Sequence, residues 1–118
     1  MNNAIEEKSF QFAVRIVKLC RYLRDDKKEY ILSKQLLRSG TSIGANIKEA
    51  MQAQSRKDFI SKMNIALKES YETEYWLRIL NRTKYITDSE FNSIFAENQS
   101  ITNILAKIVI TSKNTQEE

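Results

Sequence analysis

The chain has 118 residues, 42% hydrophobic and 29% charged, and its 19 Lys and Arg against 15 Asp and Glu give a formal net charge of +4. This length fits one domain, and the composition excludes an intrinsically disordered or membrane-embedded chain. Because there is no His and a single Cys, Ser-His-Asp triads, Cys-His pairs, most zinc sites and an internal disulfide are excluded.

The absence of Pro, with only two Gly, favours helix throughout. The first predicted helix spans about residues 5–24, where apolar side chains recur at three- and four-residue steps, and a charged loop follows it. The second spans about residues 31–53 and contains Gly40 and Gly44. Each glycine costs about 1 kcal/mol relative to Ala inside a helix. We therefore expect a kink, or the close approach of a neighbouring helix, at these two positions.

Two capping boxes predict where the remaining helices begin. Ser55 to Asp58 opens a third helix over about residues 56–81, and Thr87 to Glu90 opens a fourth over about residues 88–110. Residues 112–118 are polar or charged, so we expect a frayed tail there.

Short linkers make sequential helices pack antiparallel. The fold prediction is therefore all-α: one domain over residues 1–118, built as an up-and-down antiparallel four-helix bundle. The first residues lack the basic start and apolar run of a signal peptide, and we expect a cytoplasmic protein with no membrane partner.

The first helix carries an apolar arc of about 220°, where a monomeric bundle needs only somewhat more than 100°. The third helix also has apolar residues away from its main stripe. These arcs indicate a homo-oligomer, although scattered surface residues or burial against two neighbouring helices are alternatives. The candidate subunit interface consists of Phe10, Val14, Ile65, Trp76 and Ile79.

Polar residues on the inner flanks of the second and third helices predict a structural network, since buried polar groups need partners. We expect Arg38 to pair with Glu49 or Glu74. A carboxylate metal cluster is the alternative, but the di-iron bundle template needs His; no metal, cofactor or catalytic residue is predicted. The predicted network consists of Arg38, Ser42, Asn46, Glu49, Ser70 and Glu74.

Residues 36–50 read Leu-Leu-Arg-Ser-Gly-Thr-Ser-Ile-Gly-Ala-Asn-Ile-Lys-Glu-Ala. This stretch resembles the signature of four-helix bundle proteins encoded in intervening sequences of bacterial 23S ribosomal RNA genes, also labelled S23 ribosomal proteins. Residues 66–74 and 87–91 resemble helix three and the start of the last helix of that family. Gly44 stands where many relatives have Pro, and Ala50 where they often have Gly. The residues that match the signature are Arg38, Ser42, Ile43, Asn46, Ile47, Glu49 and Ala50.

The resemblance implies a homopentamer of bundles arranged as a barrel. The chain is also similar to the accessory protein of diversity-generating retroelements, a pentameric bundle that engages nucleic acid and the reverse transcriptase. No biochemical activity is implied for the ribosomal-intervening members.

Two functions are compatible with these residues. The first is a non-enzymatic accessory protein that binds RNA or DNA without sequence specificity, consistent with a pI of about 9.2. The second is a scaffold for a protein partner, with Trp76, Tyr75 and Tyr85 as anchors. An enzyme is disfavoured because no phosphate loop or nucleophile motif is visible, and Cys20 lies among apolar residues. The candidate nucleic-acid contacts are Arg15, Lys18, Arg21, Arg24, Lys28, Arg78 and Arg82.

Overall fold

The structure is a computed structural model that describes residues 3–117, with the side chains of residues 4–114. All its regular elements are helices, as predicted, and the described residues contain no strand. The four helices are α1 (Asn3–Asp25), α2 (Leu32–Ala50), α3 (Arg56–Arg82) and α4 (Asp88–Glu117).

Two boundaries differ from the prediction. The second helix ends at Ala50 rather than 53, because the amides of Gln52 and Ala53 bond three residues back and tighten the chain into a turn. The frayed tail predicted over 112–118 is wrong for residues 112–117: α4 continues to Glu117, since no Gly or Pro interrupts helix propagation there. Glu118 lies outside the described residues.

The helices pack around one core as a closed ring of neighbours. α2 lies between α1 and α3, and α4 lies between α3 and α1. Among the described residues no Cα atom of α1 lies within 8 Å of a Cα atom of α3, so these two helices occupy diagonally opposite corners. The molecule measures 50 × 21 × 21 Å. The largest fully buried side chains include Phe12, Ile16, Leu36, Ile43, Met63, Leu77, Ile101 and Leu105.

Gly40 is where α1 and α2 approach most closely. A Cβ atom at this position would lie 2.8 Å from Cγ2 and 2.9 Å from Cγ1 of Ile16. At Gly44 the added atom would meet the backbone oxygen and Oγ of Ser9 at 3.4 Å, an ordinary van der Waals distance. The expected close approach of a neighbouring helix is therefore confirmed, and it is tightest at Gly40.

Side chains cap three of the four helix starts. Ser55 Oγ accepts from the amide of Asp58 at 3.0 Å, and Thr87 and Glu90 exchange reciprocal bonds of 2.9 and 3.1 Å. The capping box at Thr87 is therefore confirmed, whereas at Ser55 only the serine cap is, since the Asp58 carboxylate makes no return bond to Ser55 among the described residues. The start of α2 has a cap that the sequence did not reveal. The buried carboxylate of Glu29 accepts from the amides of residues 31, 32 and 33 at 2.7–3.2 Å.

Cys20 behaves as a core residue. Its Sγ donates to the carbonyl of Ser33 at 3.3 Å, and burial raises the pKa of the thiol to about 12. No helix in the described part of the chain is long and apolar enough to cross a membrane.

The raised pKa makes Cys20 a source of alkaline instability. The folded pKa lies above the ordinary thiol value of about 8.5, so this stabilising contribution is complete below that pH and is lost as the pH rises toward 12. Relative to Cys20→Ala, the wild-type protein should lose about 1 kcal/mol of unfolding free energy per pH unit between about pH 9 and 11. Urea unfolding at several pH values measures this difference. Parallel pH profiles for the two proteins would contradict it.

Candidate nucleic-acid interface

The predicted basic residues gather at one end of the bundle. Leu19 and Tyr22 of α1 line a cleft with Ile86, in the connection between α3 and α4, and with Ile94 of α4. This contact places the C-terminal half of α1 at the same end of the bundle as the connection between α3 and α4. The basic residues that sequence analysis placed in two separate segments therefore lie toward one end of the bundle, on the diagonally opposite helices α1 and α3, and we call this end the basic end.

Three of the predicted contacts are engaged by acids of the same chain. The Arg15 guanidinium donates to Oε1 of Glu97 and to Oγ of Ser93, both at 2.8 Å, and so joins α1 to α4. Arg24 donates to Asp25 at 2.9 Å. Arg78 lies 3.9 Å from Glu74, a loose pairing that leaves its side chain mostly exposed.

The other four predicted contacts are free at the surface. Lys18, Arg21, Lys28 and Arg82 are exposed, and within the described part of the chain none has an acidic partner within 4.0 Å. Arg15 and Arg24 thus have a role within the fold, whereas these four residues have none that the contacts show. Nucleic-acid binding by all seven residues stays a prediction.

The backbone fixes the position of the basic end. Lys28 adopts a left-handed conformation with φ of 58°, and the amide of Glu29 then bonds back to the carbonyl of Leu23 at 2.9 Å. Lys84 adopts the same conformation with φ of 68°, just after α3. Each of the two connections at this end, between α1 and α2 and between α3 and α4, therefore contains a lysine in the left-handed conformation.

The predicted network around Arg38 is wrong in its partners. The guanidinium of Arg38 pairs with Glu69 at 3.3 Å and with Glu72, rather than with Glu49 or Glu74. Glu49 instead pairs with Lys62 at 3.0 Å. The reason is the register between the antiparallel helices α2 and α3. It places Arg38 opposite residues 69–72, and Glu49 opposite Lys62, nearer the start of α3.

The flank that carries the signature motif is also more exposed than expected. Arg38 and Glu49 are exposed, and Ser42 and Asn46 are half-buried. Ser42 Oγ donates to the carbonyl of Arg38 at 2.6 Å, and Asn46 Nδ2 donates to that of Ser42 at 2.8 Å. These two side chains therefore bond along their own helix rather than across to α3.

Ser70 is fully buried, as expected, but its partners were not predicted from the sequence. Thr102 Oγ1 donates to Ser70 Oγ, and Asn98 Nδ2 donates to the carbonyl of Ser70, both at 3.0 Å. A second buried contact joins Thr73 to Ser39 at 3.0 Å. The signal was their position: Ser39, Thr73, Asn98 and Thr102 all lie on inward helical faces, among apolar residues.

The candidate interface residues divide into two groups. Phe10 is 62% exposed, and Val14 and Ile65 are also exposed. Phe10 borders an open groove of about 650 Å³ between α1 and α2, lined also by Ala13, Thr41 and Ala45. These three exposed side chains leave unpartnered apolar surface on the described chain.

Trp76 and Ile79, the other two candidates, are half-buried. Trp76 packs against the core, and its Nε1 donates to Glu72 at 2.9 Å. Tyr85 is likewise half-buried against the core, whereas Tyr75 is exposed. Of the three proposed protein anchors, Tyr75 alone presents most of its side chain at the described surface.

No group of three or more Cys, Asp and Glu side chains within the described residues is arranged to hold a metal ion. A second groove, of about 720 Å³, is lined mainly by apolar and small side chains near the end of α4, including Met51, Phe59, Met63, Ile104 and Ile108.

Comparison with known proteins decides the family. The model of the 23S rRNA-intervening sequence protein family matches residues 1–107. The chain belongs to this family. A crystal structure of a protein with unknown function from the S23 ribosomal protein family of Bacteroides thetaiotaomicron is 56% identical, with a TM-score of 0.90 over 92% of this chain and 96% of that chain. No curated protein matches.

In this 23S rRNA-intervening sequence protein the signature stretch of the family is part of the fold. Leu36, Ile43 and Ile47 project into the core, and Gly40 meets α1. Arg38 links α2 to α3 through Glu69 and Glu72. The motif that identifies the family therefore serves helix packing, and the basic end lies outside it.

Proposed function

We propose that this protein is a non-enzymatic, oligomeric accessory protein of the cytoplasm that binds nucleic acid without sequence specificity through its basic end. The observation that carries the proposal is that four cations toward one end of the bundle, Lys18, Arg21, Lys28 and Arg82, are exposed and have no acidic partner within 4.0 Å in the described part of the chain. A cation that is already paired with a carboxylate must give up that pairing to bind a phosphate, whereas these four have no such pairing to lose.

Electrostatics gives the expected strength and signature. Each Lys or Arg that meets a phosphate releases condensed counterions, so the logarithm of the affinity falls linearly with the logarithm of the salt concentration. Four contacts on one chain would give weak, salt-sensitive binding. Repetition of the basic end around an oligomer would raise the avidity by presenting several sites to one polymer.

Oligomerisation is part of the proposal. The connections over residues 26–31, 51–55 and 83–87 are short, and neighbours in sequence are neighbours in space, which supports an up-and-down bundle. Exposed Phe10, Val14 and Leu37 lie on the adjacent helices α1 and α2 and form an apolar surface suited to a second copy. The homopentamer that the family resemblance implies is the assembly we propose.

Charge reversal at the basic end tests the proposal. Lys18→Glu combined with Arg21→Glu should weaken binding to ribosomal RNA fragments and to random duplex DNA by at least about 100-fold at 100 mM salt, and should flatten the salt dependence. Fluorescence anisotropy over a salt series measures both. The matched control is Lys107→Glu with Lys113→Glu, which makes the same charge change on exposed residues of α4.

The control variant should bind within about threefold of wild type once the change in net charge is screened by salt. Equal losses in the two variants would show that net charge alone, and not the basic end, attracts the polymer. No binding by the wild-type protein at 50–100 mM salt, roughly where such contacts are strong, would overturn the proposed function. Light scattering on the same samples tests the oligomer, and a monomer would overturn that part.

The groove beside Phe10 favours a second candidate function, a scaffold for a protein partner. Its lining by Ala13, Thr41 and Ala45 offers a shallow apolar surface that another helix would cover. Phe10→Ser separates the alternatives. A change in oligomeric state with nucleic-acid binding reduced only by lost avidity supports the accessory protein. A scaffold would keep its oligomeric state and show no nucleic-acid binding before or after the substitution.

A further inference from the structure

The outward face of α3 carries a row of exposed basic and aromatic side chains, with a gap of about 17 Å between Lys57 and Lys68. At 100° per residue six exposed positions fall within an arc of about 80°, and they extend over about 38 Å along the helix. We call this row the α3 ridge. Its members are Lys57, Lys68, Tyr71, Tyr75, Arg78 and Arg82.

No acidic residue of α3 lies within this arc. Glu69 and Glu72 project toward α2, where both pair with Arg38. Asp58 falls on that same side of the helix, and Glu74 lies about 40° beyond the other edge of the arc, 3.9 Å from Arg78. The charged members of the ridge are therefore all cations, although α3 as a whole carries four acids.

Two tyrosines occupy the middle of the ridge with no role in the core. Tyr71 is 54% exposed and Tyr75 58% exposed. The two residues are four positions apart in the sequence, which places them about 6 Å apart along the helix axis. The Tyr75 ring packs edge-on against Trp76, with centroids 5.1 Å apart, and this contact holds the ring in place. Such an arrangement offers fixed aromatic faces to solvent.

Aromatic faces between cations match the chemistry of an unpaired strand. Bases of a single strand are free to stack on tyrosine rings while the sugar-phosphate backbone follows the positive charges. A duplex keeps its bases stacked inside and gains only the phosphate contacts. The two tyrosines therefore favour single strands over duplexes, a preference that the cations alone would not produce.

We propose that single-stranded nucleic acid binds along the α3 ridge, with bases stacked on Tyr71 and Tyr75 and phosphates held by Arg78 and Arg82. Arg82 belongs to both the ridge and the basic end, because it is the last residue of α3. This inference rests on the proposed function, and it adds the class of nucleic acid and the path that the strand takes.

The ridge lies apart from the apolar surface that we propose for self-association. α3 lies diagonally opposite α1 in the described part of the chain. The exposed apolar residues Phe10 and Val14 belong to α1, and Leu37 belongs to α2. The ridge residues of α3 are therefore distinct from the residues of that surface.

The test compares three probes with a set of tyrosine variants. Anisotropy titrations use oligouridylate RNA, oligothymidylate DNA and a random-sequence duplex at about 100 mM salt, where phosphate contacts are still favourable. Tyr71→Ala with Tyr75→Ala should weaken binding of both single strands by about tenfold or more and leave the duplex within about twofold. Tyr71→Phe with Tyr75→Phe keeps the rings and should bind like wild type. Tyr30→Ala, an exposed tyrosine off the ridge, is the matched control.

The outcomes separate this inference from the proposed function. An alanine variant that binds each of the three probes as tightly as the wild-type protein does would overturn the ridge while the basic end stands. Absence of binding to any probe by the wild-type protein overturns both. Light scattering of the alanine variant adds a further check, because a changed oligomeric state would assign the ridge to a second copy and would also overturn the inference.

Discussion

Gly40→Ala is expected to lower the free energy of unfolding by about 2 kcal/mol, whereas Gly44→Ala should raise it by up to about 1 kcal/mol. Both changes replace a glycine inside α2, so each gains the same helix propensity. At Gly40 the added methyl group would lie 2.8 Å from Cγ2 of Ile16, which is fully buried and cannot move aside. At Gly44 the nearest atoms are at 3.4 Å, and no rearrangement is needed.

Urea unfolding of the two variants measures the difference, and a double-mutant cycle identifies its cause. Ile16→Val in the Gly40→Ala background should recover little stability, because Val keeps both γ carbons that meet the new methyl group. Ile16→Ala removes them, so its cost should be smaller in the Gly40→Ala background than in wild type. Additive effects of Gly40→Ala and Ile16→Ala would contradict steric contact as the cause.

These two glycines show how far the sequence alone predicts the fold. A glycine inside a helix signals close approach, and that signal was the same at Gly40 and Gly44. The difference between them depends on which residue of α1 lies opposite, Ile16 or Ser9. That pairing is set by the relative shift of two helices, a tertiary property that periodicity within one helix does not contain.

The same limit explains the polar contacts. Helical spacing places Arg38 on a face of α2 that can contact α3, but α3 carries four acidic residues, and spacing within one helix does not indicate which of them Arg38 meets. The register selects Glu69 and Glu72. Thr102 and Asn98 were missed for a different reason, since α4 was recognised by its apolar residues and the polar residues among them were not counted.

The candidate site was predicted in part. Charge runs in sequence identified both segments of the basic end, because each run is local. Whether a cation is paired with an acid depends on residues far away in the sequence. Arg15 pairs with Glu97, and nothing in the sequence near Arg15 indicates this pairing. For the α3 ridge, Tyr75 was predicted to be an exposed anchor. The other members of the row could be recognised only from the exposure of each side chain, which distinguishes the outer face of α3 from its flanks.

The two proposed surfaces have different physical demands. The basic end depends on long-range charge, so its affinity should fall steeply with salt. Stacking on the α3 ridge involves uncharged rings and should persist when phosphate contacts are screened. A protein with both surfaces would bind any nucleic acid at low salt and select single strands as the salt concentration rises.

Glu29→Ala is expected to cost about 2 kcal/mol of unfolding free energy, the loss of a buried carboxylate cap. Its two oxygens accept from the amides of Ile31, Leu32 and Ser33. The N-cap position itself, Ile31, has no side-chain oxygen to replace them. Without the carboxylate, three amides at the start of α2 lose their partner in a partly buried site.

Asp26→Ala is the matched control, because it removes the same charge three residues earlier from an exposed side chain. It should leave stability within about 0.5 kcal/mol of wild type. Glu29→Gln, which keeps one acceptor oxygen, should fall between the two. Thermal and urea unfolding rank the three variants. Equal losses for Asp26→Ala and Glu29→Ala would mean that the acid acts only through its charge beside Lys28; a loss confined to position 29 assigns it to the hydrogen bonds that begin α2 and thereby hold the basic end in place.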